Sequence, residues 1–325
     1  MTMERLIEVE NLKVHFPLST SYFGPMRGRS RYVRAVDGIS FVVHKGETFS
    51  LVGETGSGKT TTARAMIRLI EPTSGRILFR GKDMSALSSE EMRSLRRKIQ
   101  IVFQDPFASL NPRKTVGEIV GRPLAVHGLT RGSEMRQEAI QLLEMVGLAP
   151  GAQFLDRYPH EFSGGQRQRI GVARALALKP ELIVLDEPVS SLDISIRSQI
   201  LNLLQDLRAR FGLAYVLIAH DLSVVRYLSD KVAVMYLGKT VEIAESESLF
   251  INPKHPYTKA LLASIPIPDP SVRREKIHLR GEMPSPINVP TGCRFHPRCP
   301  QAKPTCRELE PALQQIDGHL VACHM

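Results

Sequence analysis

The sequence predicts an α/β fold with a parallel β-sheet, and three observations support this prediction. A glycine-rich loop at 53–60 lies between an apolar segment at 47–52 and a segment with helical spacing at 61–69. Further along, apolar runs at 182–185 and 214–219 alternate with segments of helical spacing. Both runs are almost continuously apolar, which is typical of strands buried on both faces of a parallel sheet.

The glycine-rich loop reads G-E-T-G-S-G-K-T and matches the phosphate-binding pattern G-x-x-x-x-G-K-[ST]. Glycines allow backbone N–H groups to approach phosphate oxygens, and the dipole of the following helix favours an anion. Lys59 would reach the β- and γ-phosphates, and the Thr60 hydroxyl would be placed for Mg²⁺. The alternative is a flexible loop with a solvated lysine. The predicted phosphate-binding residues are Gly53, Glu54, Thr55, Gly56, Ser57, Gly58, Lys59, Thr60 and Thr61.

Length and charge limit the possible classes of protein. The 325 residues suffice for one full α/β domain and an appendage, and the formal net charge of +10 is compatible with nucleic acid, anionic lipid or nucleotide. No run approaches the ~18 apolar residues that a membrane span needs. The first residues lack a basic region followed by an apolar core, so we expect the chain to stay in the cytoplasm.

The distribution of strand-like, helical and proline-rich segments predicts the domain organisation. Strands are expected at 5–15 and 33–43, joined by an exposed loop at 17–31. Proline breaks and then two amphipathic helical patterns predict a helical subdomain at about 105–165.

Prolines crowd the segment after residue 252. We therefore predict a first domain at 1–252 and a small extension at 253–325 that is irregular beyond a short helix at 257–264.

Two further motifs carry chemistry. Asp186 and Glu187 follow an apolar strand, where a magnesium-binding carboxylate and a base that polarises water are expected, although a solvated acidic pair is the alternative. The stretch F-S-G-G-Q-R-Q-R at 162–169 opens another helix with two glycines and a serine. It predicts a second anion site, so one chain holds two phosphate-binding half-sites.

Together these motifs resemble the nucleotide-binding subunit of an ATP-binding-cassette (ABC) transporter. The resemblance covers residues 5 to about 250 and adds Gln104 after an apolar strand, Ser191-Leu192-Asp193, and His220 after another apolar strand. It implies a P-loop NTPase fold, an ABC nucleotide-binding domain with a RecA-like core, an antiparallel β subdomain and a helical subdomain.

The resemblance also implies roles for single residues. In that family two domains pair head to tail, and ATP with Mg²⁺ lies between the P-loop of one and the signature sequence of the other. Gln104 would touch Mg²⁺ or the water, His220 the γ-phosphate, and Asp193 would link the two sites. Phe16, or alternatively Tyr32, would stack on adenine, unless Phe16 is a core residue. The signature residues are Ser163, Gly164, Gly165 and Gln166, the catalytic residues Glu187, His220 and Gln104, and the Mg²⁺ ligands Thr60, Gln104 and Asp186.

The segments 252–262, 281–286 and 292–300 resemble the extension of oligopeptide and dipeptide importer ATPases. The cysteines run C-x5-C-x6-C-x16-C and could together hold Zn²⁺ or a [4Fe–4S] cluster. The resemblance favours the cluster, whereas His296 and His324 could replace ligands in a zinc site and unliganded cysteines are a third possibility. These cysteines are Cys293, Cys299, Cys306 and Cys323.

The implied function is that of an ATP-hydrolysing subunit that drives import of di- and oligopeptides at the cytoplasmic face of the cell membrane. Its implied partners are a second ATPase subunit, expected to be a paralogue, two transmembrane permease subunits and an extracytoplasmic peptide-binding protein. Import of nickel or another small solute is the alternative. A soluble ABC ATPase acting on nucleic acid is less favoured, because a long coiled-coil insertion and a second cassette are both missing from the sequence. We therefore expect no direct contact with nucleic acid.

Overall fold

A computed structural model describes residues 4–18, 31–264, 279 and 281–325. Most of the loop predicted at 17–31 lies outside the described residues. The chain divides into two compact units. The first unit contains His44–Thr48 and Ala86–Ala219, and the second contains Glu4–Val43, Phe49–Ser85 and His220–Met325.

The strands of the described residues include the predicted apolar and alternating segments together with shorter strands that were not predicted. They are β1 (Arg5–Pro17), β2 (Tyr32–His44), β3 (Thr48–Val52), β4 (Ser74–Phe79), β5 (Lys82–Asp83), β6 (Ile99–Val102), β7 (Leu182–Asp186), β8 (Ala214–Ile218), β9 (Lys231–Tyr236), β10 (Lys239–Glu245), β11 (Gln314–Ile316) and β12 (His319–Val321).

The helices include those predicted from helical spacing and several short ones that were not predicted. They are α1 (Lys59–Met66), α2 (Ser89–Leu95), α3 (Pro106–Ser109), α4 (Val116–Val126), α5 (Gly132–Met145), α6 (Gly164–Leu176), α7 (Ile194–Phe211), α8 (Leu222–Leu228), α9 (Ser246–Ile251), α10 (Pro256–Ala263) and α11 (Thr305–Glu308). None of the described helices has the length and apolar character needed to cross a lipid bilayer.

The first unit contains the predicted parallel strands. β7 lies between β6 and β8 and pairs with both in parallel. Every residue of β7 and β8 is buried, as their continuously apolar sequences predict. The parallel arrangement places the carboxyl ends of these strands at one edge, where Asp186 ends β7.

Two amphipathic helices lie within the segment predicted as a helical subdomain. Thr115 begins α4 with a capping box, in which its hydroxyl accepts from the Glu118 N–H and the Glu118 carboxylate accepts from the Thr115 N–H. α4 and α5 contact each other and both contact α6. Their apolar faces supply Val120, Leu142 and Leu143, all buried. The apolar spacing therefore placed both helices correctly.

The second unit combines the beginning and the end of the chain. β2, β1, β4 and β5 form a four-stranded sheet in this order, with β1 and β4 antiparallel. β3 pairs in parallel with β9, which continues in antiparallel order to β10, β12 and β11. The extension therefore contains a short hairpin that its prolines do not indicate. This hairpin consists of β11 and β12, and β12 forms hydrogen bonds with β10.

A buried carboxylate joins the extension to this sheet. Glu242 of β10 is fully buried and accepts hydrogen bonds from the backbone N–H groups of Lys254 and His255, each at 2.9 Å. Its Oε1 also lies 2.7 Å from Nδ1 of His319 in β12. Burial lowers the pKa of His255 to about 4, although the negative charge of Glu242 acts in the opposite direction. His255 is therefore neutral near pH 7.

Candidate functional site

The P-loop of the second unit has the conformation that its glycines predict. β3 ends at Val52, and α1 begins at Lys59. Gly53 and Gly58 have φ angles of +145° and +104°, and a Cβ on either would lie 2.2 Å from a backbone oxygen, that of Met235 or Ala35. Only glycine fits these two positions, since both the dihedral and the space exclude a side chain.

Lys59 lies in the curve of this loop. It is 6% exposed, and its Nζ donates to the carbonyl oxygens of Gly53 at 2.8 Å and Glu54 at 2.9 Å. Thr55 and Gly56 form the exposed tip, whereas Ser57 is buried. Thr60 and Thr61 are half-buried in the first turn of α1, where backbone N–H groups favour an anion.

Two aromatic candidates for base stacking lie at one end of the four-stranded sheet. Phe16 near the end of β1 is 39% exposed, and Tyr32 at the start of β2 is 44% exposed. The Leu18 N–H donates to the Arg31 carbonyl at 2.8 Å, which brings these strand ends together. Both rings thus present an accessible face, and Phe16 is not a core residue. His220, also exposed, precedes α8.

The predicted catalytic carboxylate lies in the first unit beside the predicted glutamine. Asp186 is 2% exposed at the end of β7. Glu187 follows with a positive φ of 47°, a conformation that a non-glycine residue adopts only where its surroundings fix it. Its N–H donates to the Ile218 carbonyl at 3.0 Å, and its Oε2 accepts from the Gln104 amide at 2.7 Å. The structure therefore brings together Gln104 and Glu187, which are 83 positions apart.

The signature sequence begins α6. Exposed Ser163 is the N-cap, and its hydroxyl accepts from the Gln166 N–H at 3.3 Å while Gln166 Oε1 accepts from the Ser163 N–H at 3.0 Å. Gly164 is half-buried. A Cβ on Gly165 would lie 2.3 Å from the side chain of Ile196, which would have to shift to accommodate it. Asp193 is exposed at the N-cap position of α7.

The four cysteines of the extension are free thiols with Cys306 buried. Burial, with smaller contributions from the other three cysteines, raises the pKa of the Cys293 thiol to about 11. Four cysteine thiolates are a ligand set that zinc and iron–sulfur centres use. However, within the described parts of the chain no group of three or more His, Cys, Asp and Glu side chains is arranged to hold a metal ion.

Sequence reasoning missed the residues of the extension that contact the P-loop. Arg298 donates to the carboxylate of Glu54, and the Tyr257 hydroxyl accepts from the Glu54 N–H. No spacing rule connects these positions. The only sequence signal is the arginine content of the segment between Cys293 and Cys299.

Comparison with known proteins identifies the family. Residues 36–190 match the family model described as ABC transporter, and residues 241–306 match the model described as oligopeptide/dipeptide transporter, C-terminal region. The oligopeptide transport ATP-binding protein AppF of Bacillus subtilis (strain 168) is 53% identical over 99% of this chain and 98% of that protein. The chain belongs to the ABC transporter family.

Other members of the ABC transporter family agree in sequence and fold. A probable peptide ABC transporter ATP-binding protein of Sinorhizobium fredii is 49% identical over 99% of this chain and 90% of that protein. A dimeric, post-hydrolysis structure of the ATP-binding cassette MJ0796 bound to ADP and Pi has a TM-score of 0.64 at 28% identity and covers 74% of this chain and 99% of that chain. The chain is therefore an ABC ATPase, and the predicted fold class is confirmed.

Proposed function

We propose that this ABC ATPase drives the uptake of di- and oligopeptides. The observation that carries the proposal is the match of residues 241–306 to the C-terminal region of oligopeptide and dipeptide transporters, in a chain whose ATP motifs are complete. The name of AppF, which is similar over almost the full length, supports the same substrate class. Peptide is thus favoured over nickel or another small solute.

In this proposal each site residue has its own role in ATP hydrolysis. Thr60, Gln104 and Asp186 would hold Mg²⁺, which neutralises phosphate charge when bound. Glu187 accepts a proton from the attacking water. The Gln104 amide lies 2.7 Å from the Glu187 carboxylate and orients this carboxylate. His220 contacts the γ-phosphate, and Phe16 or Tyr32 stacks on adenine.

A partner ATPase completes the site in this proposal. Ser163 at the start of α6 is exposed to solvent, so we propose that an anion on a second subunit approaches the helix at this residue. Asp193 is exposed as well and can contact the partner. We expect a paralogue as the second subunit.

A groove of about 710 Å³ in the first unit would receive a permease subunit. Arg96, Lys114, Arg122 and Arg174 line it together with one carboxylate, Glu118, so its charge is predominantly positive. We propose that a cytoplasmic segment of a permease, carrying acidic residues, occupies this groove because the charges are complementary. The ATPase then lies at the cytoplasmic face of the membrane, beside two permease subunits that receive peptide from an extracytoplasmic binding protein.

Reconstitution tests the substrate class. In liposomes with its permeases and binding protein, the complex should hydrolyse ATP faster when the binding protein carries an oligopeptide, because a loaded binding protein favours the closed ATPase dimer. ATP turnover and uptake of labelled peptide are measured, with Lys59→Ala as the inactive control. Stimulation by nickel ions instead of peptide would contradict the peptide proposal, and recovery of the chain from native membranes without permeases would contradict the transporter role.

We also propose that the four cysteines bind a [4Fe–4S] cluster in preference to Zn²⁺. Four thiolates can ligate either centre, and the C-x2-4-C pairs that are usual in zinc sites are missing from the cysteine spacing, which favours the cluster. Anaerobically purified protein is expected to absorb visible light and to contain about four irons per chain. Cys306→Ser should lose both. Colourless wild-type protein with one zinc per chain would contradict the cluster.

A further inference from the structure

A short segment of the extension packs beside the P-loop. Between Cys293 and Cys299, Phe295 is 1% exposed, with its ring centroid 5.2 Å from that of Tyr236 and 5.4 Å from that of Tyr257. Arg294 donates to the Leu237 carbonyl at 2.6 Å and to the carboxylate of Asp37. The segment is thus fixed by an aromatic cluster and a buried ion pair.

This packing places two groups of the extension on one residue of the P-loop. Nη1 of Arg298 lies 3.1 and 3.0 Å from the two carboxylate oxygens of Glu54, and the arginine side chain is only 9% exposed. The Tyr257 hydroxyl accepts from the Glu54 N–H at 2.9 Å. The extension therefore holds both the side chain and the backbone of Glu54.

Glu54 places a negative charge in a loop that is predicted to bind an anion. Between Gly53 and Thr60 the charged side chains are Glu54 and Lys59, whose formal charges cancel. A carboxylate in a loop that cradles phosphates repels them, and the repulsion is larger where the site excludes water. Arg298 lies within hydrogen-bond distance of both carboxylate oxygens and so restores a positive balance at the loop.

We propose that Arg298 is a positioning residue of the nucleotide site. It neutralises Glu54 and, with Tyr257, fixes the loop backbone, so that the affinity for MgATP depends on the C-terminal extension. The inference rests on the proposed binding of MgATP at this P-loop and names a determinant of that binding that lies outside the loop motif.

The test measures MgATP affinity of the full-length chain by titration calorimetry at low ionic strength. Arg298→Ala should weaken binding by about tenfold, because hydrogen bonds to charged groups contribute on this scale. Arg298→Lys should recover part of the loss because it retains the charge. Arg307→Ala, which removes an exposed arginine of the same extension, is the matched control and should bind like wild type.

A second variant separates charge from structure. In the double variant Arg298→Ala with Glu54→Gln, affinity should return to that of Glu54→Gln alone, because no unpaired carboxylate then remains. Added salt should reduce the defect of Arg298→Ala by screening the repulsion.

Three results would overturn the inference. Equal MgATP affinities of the Arg298→Ala and Arg307→Ala variants would show that Arg298 does not contribute to MgATP binding. A defect that persists in the double variant and at high salt would assign Arg298 a merely structural role. If the wild-type protein does not bind MgATP, the proposed function is refuted as well. The first two results, in contrast, would refute only the role of Arg298.

Discussion

Replacing Glu187 with glutamine is expected to lower the rate of ATP hydrolysis by about 10²-fold or more, the usual contribution of a positioned general base. The amide keeps the size of the side chain but cannot accept a proton from the attacking water. ATP binding should persist, because the P-loop with Lys59 lies elsewhere in the sequence and is unchanged. Steady-state turnover of the assembled complex and nucleotide binding to the full-length chain measure the two effects.

The matched control is Glu181→Gln, which changes a carboxylate just before the opposite end of β7. Glu181 forms an ion pair with Lys98 at 3.2 Å and has no predicted role in the chemistry. Its variant should retain turnover close to wild type. Equal rates for the Glu187 and Glu181 variants would remove Glu187 from the role of base.

Among the substitutions considered, removing the buried carboxylate of Glu242 is expected to lower the free energy of unfolding most. Glu242→Ala leaves two backbone N–H groups and the ring of His319 without their acceptor in a fully buried site. Loss of one partner from such a buried network costs about 3 to 5 kcal/mol of the free energy of unfolding. Urea unfolding of the full-length chain measures it.

Glu247→Ala is the control for this experiment, because Glu247 is exposed in the first turn of α9. Its free energy of unfolding should stay within about 0.5 kcal/mol of wild type. A Glu242 variant as stable as the Glu247 variant would mean that the network does not hold the extension to β10.

Local sequence was sufficient for elements whose cause is local. The P-loop was predicted because strand, loop and helix are contiguous, and the glycine positions follow from the approach of backbone to phosphate. β7 and β8 were predicted as buried parallel strands because their residues are apolar without interruption. α4 was predicted from apolar spacing, and its capping box confirms its start.

Elements that depend on a distant partner were not predicted. The strands β11 and β12 have three residues each and are partly exposed, so they carry little apolar pattern of their own. They form because β10 offers a ladder partner, with Glu242 opposite Val321. This short hairpin was not predicted for that reason, whereas the described residues of the extension contain no long strand or helix, as expected.

The sequence by itself determined the nucleotide motifs of this ABC ATPase, because each motif is a contiguous run whose backbone geometry and chemistry are local. Only the tertiary structure decided that Arg298 meets Glu54, 244 positions away, and that His319 meets Glu242, 77 positions away. A charge can be buried only where the fold supplies an opposite charge or a hydrogen-bond partner, and the identity of that partner depends on the packing of the whole unit.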